Sequence, residues 1–363
     1  LDATAVDAGV DALLGSGARA QVSCPDIRKK TKCDREADCV WKAPCYEKKC
    51  CQPLARPERP SGLGPRYDTR PANVSETSII FIKIPKCSSS TAGGVARRVA
   101  SRHGHVGFAS QHNGGYRKGT TTHPAVYANH ESLVKFMHEF SAHGGTWRAF
   151  LWTVVREPLP RSVSAFFHFE VTKHRGNHSD ANVIAYLESE GNFLWNYLRT
   201  NKISAPRPGD VHKLLDVYDL VGTTELFDET MVVLATRLGV PLGDVLSVSA
   251  KNSSVAGARD PATGNAFVRA DASQIARVRE WAEKTGFEAR VAADYALWRN
   301  ASARVRRDVR PLERELAEYR RLKRAVADPC AADPRNFEED QCLWRDNGCA
   351  QPCIDAGLAR DAG

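Results

Sequence analysis

The chain has 363 residues, 42% of them hydrophobic and 26% charged, with a formal net charge of +8. That is ordinary globular composition, enough for one substantial core with appendages or for two compact domains. Aromatic residues recur through the middle of the chain, which excludes a largely disordered protein, and no apolar run is long enough to span a bilayer.

The opening residues, LDATAVDAGVDALLG, lack the basic and apolar regions of a signal peptide, and the chain does not begin with Met. A membrane anchor or export signal beyond these residues therefore stays open. The positive charge suits nucleic acid, a multiply phosphorylated ligand or an acidic glycan. No zinc-finger spacing or aromatic-basic interleaving accompanies it, so nucleic acid is not an expected partner.

Eleven cysteines fall into two crowded ends and one isolated position. Cys24, Cys33, Cys39, Cys45, Cys50 and Cys51 lie near the N-terminus, Cys330, Cys342, Cys349 and Cys353 near the C-terminus, and Cys87 stands alone as a free thiol. Even sets at each end suit disulfide frameworks, whose pairing the sequence leaves open, including cross-links between the two clusters. Zinc is the rival reading, but neither cluster has paired CxxC knuckles or a His at ligand spacing, so no metal is expected. The sequons at Asn73, Asn177, Asn252 and Asn300 add to the case for an oxidising, glycosylating compartment.

Residues 52–76 are dense in Pro, Gly and Arg and read as a linker or surface strap. SIIFIKI, from Ser78, reads as a buried strand, followed by a polar turn from Pro85 to Thr91 and then a helix. Residues 105–125 look irregular, and ESLVKFMHEF over 131–140 has helical periodicity. WRAFLWTVV, ending at Val155, is a second buried strand, with a helix starting after Pro158 and Pro160. VYDLVGTTE over 217–225 reads as strand and turn, before a helix ending at Gly239. From Asp271 to Val326 the pattern is almost wholly helical. Strands separated by helical stretches predict an α/β fold: a P-loop-like parallel sheet flanked by helices, with disulfide-rich terminal extensions. The expected division is a cysteine-rich module over 1–51, a linker over 52–77, a main domain over 78–326 and a second cysteine-rich module over 327–363.

Two segments carry anion chemistry. Lys86, Cys87, Ser88, Ser89, Ser90 and Thr91 form a loop between strand and helix, where backbone N–H groups and the helix dipole favour an anion. The spacing is not GxxxxGK[ST], so this is not a standard Walker loop, and a serine-rich solvated turn is the plainer alternative. Arg156 follows the second strand, at the edge where ligands gather in open α/β sheets, and Arg161 and Ser164 share a face of the next helix. Arg156 offers the forked donor set that suits phosphate. A salt bridge from Arg161 to Glu157 is the plainer reading of the second arginine.

IFIKIPKCSSSTAGGVARRV and LWTVVREPLPRSVSAFFHF resemble the two donor-binding motifs of Golgi carbohydrate sulfotransferases, closest to the galactose 3-O-sulfotransferase and uronyl or heparan 2-O-sulfotransferase group. The resemblance extends to VGTTELFDETMVVLATRLG at 221–239 and AADYALWRNASARV at 292–305, so it covers roughly residues 78–305. It implies transfer of a sulfuryl group from 3′-phosphoadenosine 5′-phosphosulfate (PAPS, leaving PAP) to a hydroxyl. Lys86, Ser88, Ser89, Ser90 and Thr91 would then hold the 5′-phosphosulfate, and Arg156 and Ser164 the 3′-phosphate. Cys87 stands where family members commonly have Thr, and a thiol is a weaker donor. Lys86 would offset charge on the leaving group. The chain's histidines are barely ranked by physics alone, and the resemblance of YANHESLVKF to the family's catalytic-histidine segment implies His130 as general base, with Asn129 beside it. Glu131 and Glu170 are weaker alternatives, and His168, near the expected 3′-phosphate site, is a candidate for lining the acceptor pocket.

The expected acceptor is a carbohydrate, with an acidic glycan compatible with the basic charge, and the expected location is the Golgi lumen, another secretory compartment or outside the cell. The sequence leaves the oligomeric state open. The alternatives are a sulfotransferase for small-molecule alcohols, a secreted non-catalytic carbohydrate binder, a polyanion binder through the arginine-rich helix at 304–324, and a kinase using Asp216 or Asp219 to hold Mg²⁺.

Overall fold

A computed structural model describes residues 39–41, 51–53, 73–105, 108–109, 126–130, 132, 149–199, 210–249, 263–337 and 348–361. The chain divides into two units, residues 1–58 and 59–363. In the first, β1 (Cys39–Trp41) pairs antiparallel with β2 (Cys51–Pro53). The helical reading of 131–140, the irregular reading of most of 105–125 and most of the N-terminal cysteine module and linker lie outside the described residues.

In the second unit, a 3-10 turn over Val74–Glu76 leads into β3 (Ser78–Ile82), where the expected strand starts, and the chain passes into α1 (Ser89–Arg102). After β4 (Phe108–Ala109) and β5 (Val126–Asn129) comes β6 (Ala149–Val155). Helix α2 (Pro158–Phe166) starts on a proline, whose missing N–H costs nothing in a first turn, and runs on as a π-helical turn over Phe167–Lys173. Then come α3 (Asp180–Ser189), α4 (Phe193–Leu198), α5 (Asp210–Leu215), β7 (Leu220–Thr223) and α6 (Phe227–Leu238). The strand expected over 217–225 is shorter because Asp216, Val217 and Tyr218 donate their N–H groups back to His212, Leu214 and Leu215 and finish α5. Gly239 ends α6 as expected, in the left-handed conformation at φ 67°. The helical C-terminal half consists of α7 (Ala272–Thr285), α8 (Phe287–Arg290), α9 (Ala292–Val309), α10 (Glu313–Leu322), α11 (Asp328–Ala332) and α12 (Gln351–Asp361).

The five strands form one sheet in the order β4-β5-β3-β6-β7, every neighbouring pair parallel. Alternation along the strands sorts the core into two layers. Ile79, Phe81, Trp152 and Val154 pack with α1, α6 and the C-terminal helices, and the Phe81 and Trp152 rings lie 4.4 Å apart. Ile80, Ile82, Leu151 and Val155 face the other way, toward α4, α5 and α9. Buried on both faces, these strands read as continuous apolar runs, which is why they were legible.

The C-terminal segment belongs to this core: Cys330, Cys349, Ala350 and Ile354 are buried in the layer that holds α1. Cys330 and Cys353 form a disulfide, and Cys349 is disulfide-bonded as well. Asp355 of α12 accepts from Arg98 at 2.6 Å and Arg102 at 2.9 Å, fixing α12 on the C-terminal half of α1. Within the run expected to bind polyanions, Arg304 pairs with Asp216, Arg320 with Glu229, Arg321 with Asp361 and Lys323 with Asp228, while Arg306, Arg310, Arg314 and Arg324 are exposed. Of the sequons, Asn73 and Asn177 are exposed, Asn252 lies outside the described residues, and Asn300 sits half-buried inside α9, donating to the Ala296 carbonyl at 2.8 Å.

Two helices cap each other's N-termini. Asp294 of α9 accepts from the Leu194 and Trp195 N–H groups of α4 at 2.9 and 2.8 Å, while Asn192 accepts from Ala293 and Asp294 at 3.0 and 3.2 Å. Burial pushes the Asp294 carboxyl up to about 6, and the two N–H donors only partly offset it. Its folded-state value thus lies above the ordinary one near 4, so the folded state keeps the proton longer. The contribution of this group to stability is fullest below about pH 4 and is lost as pH rises through about 6. Asp294→Asn is expected to flatten the difference in thermal midpoint between pH 4 and 7 relative to the wild type.

At Gly222 the sheet and α6 approach so closely that a Cβ would stand 2.1 Å from the Thr230 Cγ2. Gly222→Ala is expected to cost about 2 kcal/mol or more, read from the urea unfolding midpoint; an unchanged midpoint would contradict this packing.

Candidate functional site

The sheet order places the candidate residues on one edge. β3 is central, with β5 on one side and β6 on the other, and the chain reverses its direction of winding there. Ligands of open parallel sheets bind beyond the strand C-termini at such a switch point. The loop 83–88 follows β3, His130 follows β5, Arg156 follows β6 and Thr224 follows β7. Asp216 and Asp219 lie at the opposite edge, where the Asp219 carboxylate accepts from the Leu151 N–H at 2.8 Å and Asp216 pairs with Arg304. That position removes them from any role in holding Mg²⁺ beside the loop.

The loop itself turns sharply. Lys86 and Ser88 both occupy the left-handed region, at φ 66° and 54°. Ser88 stands at the N-cap of α1 and its carbonyl accepts the Ala92 N–H at 3.0 Å. Ser89 and Thr91 are buried in the first turn, while Ser88 and Ser90 are half-buried. Cys87 is a free thiol, fully buried among the residues of the second core layer, and burial pushes it up to about 12. Its side chain therefore anchors the loop in the core, which leaves the backbone as the part of Cys87 available to an anion.

Arg156 is held by its neighbours on both sides. The Val155 carbonyl accepts from the Thr224 N–H and hydroxyl at 2.8 and 3.2 Å. The Glu157 N–H donates to Glu225 at 2.9 Å, and the other Glu225 oxygen accepts from the Trp298 indole at 3.1 Å. Burial and the adjacent Glu225 raise the Glu157 carboxyl above its ordinary range. From this brace Arg156 reaches the Lys86 carbonyl at 3.5 Å, a long contact that joins the two halves of the site.

Lys86, Arg156 and Ser164 share the wall of one cavity of about 490 Å³. Among the described residues, its other charged lining residues are Arg269 and Arg279, and no carboxylate lines it. Phe167, His168 and Phe267 supply a flat aromatic part, with the His168 and Phe267 rings stacked 6.5 Å apart at 23°. Ile275, Val278 and Arg279 enter from one face of α7, at helical spacings of three and four. Such a wall fits an elongated anion with several phosphate-type groups and a planar ring. His168, expected as a candidate for lining an acceptor pocket, lines this same cavity beside Arg156 and Ser164.

Arg161, expected with Arg156, does not line the cavity. Its guanidinium is buried, donates to Ser162 at 2.8 Å, pairs with Glu190 and lies 4.1 Å over the Phe193 ring. The salt bridge expected from Arg161 to Glu157 is not formed; the guanidinium pairs with Glu190 instead. Ser88, Ser89, Ser90 and Thr91 are likewise outside the cavity wall.

His130 is half-buried and its Nδ1 lies 2.8 Å from the Lys83 carbonyl. A carbonyl can only accept, so Nδ1 is the protonated nitrogen and the neutral ring carries its lone pair on Nε2. Glu170 is partly exposed and lies 4.0 Å from His174, and Glu131 is outside the described residues. Among the described residues no cluster of His, Cys, Asp and Glu gathers as a metal site. No helix among them is long and apolar enough to cross a membrane.

Phe267, Arg269 and Arg279 were missed in the sequence. Residues 263–270 have no periodicity, and only the cap of α7, where Asp271 accepts the Gln274 N–H at 2.7 Å, gave a local signal beside them.

Residues 73–208 match the model of the Sulfotransferase family, a span that includes the loop after β3, Arg156 and Ser164. No curated protein matches the chain. The match supports a sulfotransferase family and sulfuryl transfer as the general chemistry. Because thiolate is the reactive form of cysteine and Cys87 is buried with its pKa pushed up to about 12, iodoacetamide at pH 8 is expected to leave Cys87 unmodified in the folded protein and to label it after denaturation, read by peptide mass mapping.

Proposed function

We propose that this chain transfers a sulfuryl group from PAPS to a hydroxyl of a glycan, in the Golgi lumen or another secretory compartment, with His130 as general base. The observation that carries the donor assignment is the cavity whose charged wall residues, Lys86, Arg156, Arg269 and Arg279, are all cationic. PAPS bears several negative groups and a purine, which suits that wall and its aromatic part. Sulfuryl transfer in the matched family supports the same donor.

When bound, PAPS supplies the sulfuryl group and leaves as PAP. Arg156 and Ser164 hold the 3′-phosphate, and Arg156 does so with a forked donor set whose backbone is braced by Glu225 and Thr224. Lys86 and the N–H groups of the loop and the first turn of α1 hold the 5′ end, where Lys86 offsets the negative charge that builds on the leaving oxygen. His130 accepts the acceptor's hydroxyl proton at Nε2, and its Nδ1–H bond to the Lys83 carbonyl keeps the ring in the matching tautomer. That bond also ties the base to the residue that begins the donor loop. The transfer needs no covalent enzyme intermediate, in keeping with the burial of Cys87.

A glycan acceptor is supported by the resemblance to carbohydrate sulfotransferases. The disulfide between Cys330 and Cys353 and the exposed sequons at Asn73 and Asn177 support an oxidising, glycosylating compartment. Transfer of ³⁵S from labelled PAPS across a panel of glycans and small alcohols tests the reading. Product is expected on a glycan, His130→Ala should lower kcat by about 10²–10⁴ while leaving PAP affinity within about twofold, and Arg156→Ala should raise the donor KM. Normal turnover by His130→Ala would refute the base; transfer to small alcohols alone would refute the glycan.

A further inference from the structure

One wall of the cavity is a strap, residues 263–270, that carries Phe267 and Arg269 and has no regular structure apart from an isolated bridge at Ala266. What holds it is the end of the π-helical turn that follows α2. The last carbonyls of any helix lack partners within it and must find donors elsewhere. Here the donor is the side chain of Asn265. Its Nδ2 donates to the Thr172 carbonyl at 2.8 Å and to the Lys173 carbonyl at 3.3 Å. Its Oδ1 accepts from the Arg175 Nε at 3.0 Å, and Arg175 occupies the left-handed region at φ 57° in the turn that leaves the helix. Both ends of the amide are thus used by one helix end. The register of the strap is fixed again three residues on, where the Val268 N–H donates to the Thr172 hydroxyl at 3.3 Å.

Thr172 is buried and itself lines the cavity, so the latch and the wall are one unit. Phe267 and Arg269 flank Val268, the residue whose N–H is pinned. Helical segments of the π type are often found at functional sites, and in this one the helix end serves as the seat of a separate chain segment.

We propose that Asn265 is a positioning residue that latches the 263–270 strap to the end of the π-helical turn and thereby sets Phe267 and Arg269 in the wall of the cavity. The consequence for nucleotide binding rests on the donor reading above; the latch itself does not. An amide is required, because two carbonyls need donors and one guanidinium needs an acceptor. Asn265→Asp keeps the size and the acceptor but turns an oxygen toward the carbonyls, so it should fail as badly as Asn265→Ala. A residue that merely filled space would tolerate Asp.

The test pairs amide hydrogen exchange of the ligand-free protein with calorimetric titration of PAP. Both Asn265 variants should speed exchange across 264–270 by about tenfold or more while the amides of β3 and β6 stay protected. Both should weaken PAP binding by about tenfold, and in an Arg269→Ala background the further loss should be much smaller, because the latch acts through the strap. Thr172→Val removes only the bond to Val268 and should show a smaller version of both effects, which keeps the test open should the Asn265 variants misfold. Strap exchange unchanged in Asn265→Asp would overturn the latch. Full additivity with Arg269→Ala would overturn its action through the strap. Faster strap exchange in a protein whose wild type does not bind PAP would leave the latch standing and overturn the donor reading.

Discussion

The site depends on the parallel register of β3 with β6. Ile82 stands opposite Thr153, and the Thr153 hydroxyl, fully buried, donates to the Ile82 carbonyl at 2.8 Å. The two strands leave the sheet at the same edge and nearly the same height, so Lys86, four residues past one strand end, meets Arg156, immediately past the other. A shift by one residue would turn Ile80 and Ile82 into the layer that holds Phe81 and Trp152. Core packing therefore fixes the spacing of the cations, and the loop need only fold back on itself. The left-handed backbone at Lys86 and Ser88 does that folding, with buried Cys87 between them as the anchor.

Charge is divided between two tasks. At the ligand edge the cations line a cavity with no carboxylate among its described wall residues, so their field is concentrated where an anion would sit. Elsewhere several residues of the same types are paired with carboxylates. Arg161 is stacked on Phe193 and paired with Glu190, and Arg98 and Arg102 bind α12 to α1 through Asp355. The latter pairs, with the disulfide from Cys330 to Cys353, brace the far end of the helix whose N-terminus faces the site. The C-terminal cysteine segment is thus part of the mechanical support of α1.

β3 and β6 were legible because strands buried on both faces read as continuous apolar runs, whereas β4, within the stretch read as irregular, and β5 were not expected. SIIFI and AFLWTVV are almost wholly apolar runs, and Gly239 marks a helix end that the structure keeps, whereas α2 starts on Pro158 and takes Pro160 into its first turn instead of starting after both prolines. Lys86, Arg156 and Ser164 were visible because each follows a strand at a fixed distance. One residue was misplaced and others were missed. Arg161 looks like a ligand by spacing, yet only tertiary structure brings Glu190 and Phe193 to it. Arg269 and Arg279 come from a segment about a hundred residues further on, and a strap held by Asn265 has no periodicity to betray it. The reach of Asp294 across to α4 is likewise a contact between distant segments, invisible in a run of helical sequence.

The central claim is that the cationic cavity at the switch point is the donor site. A crystal structure of the protein soaked with PAP tests it most directly. The account predicts nucleotide density within that cavity, with one phosphate against Arg156 and Ser164 and the other against Lys86 at the loop. Nucleotide bound at any other surface, with the cavity holding solvent only, would contradict it.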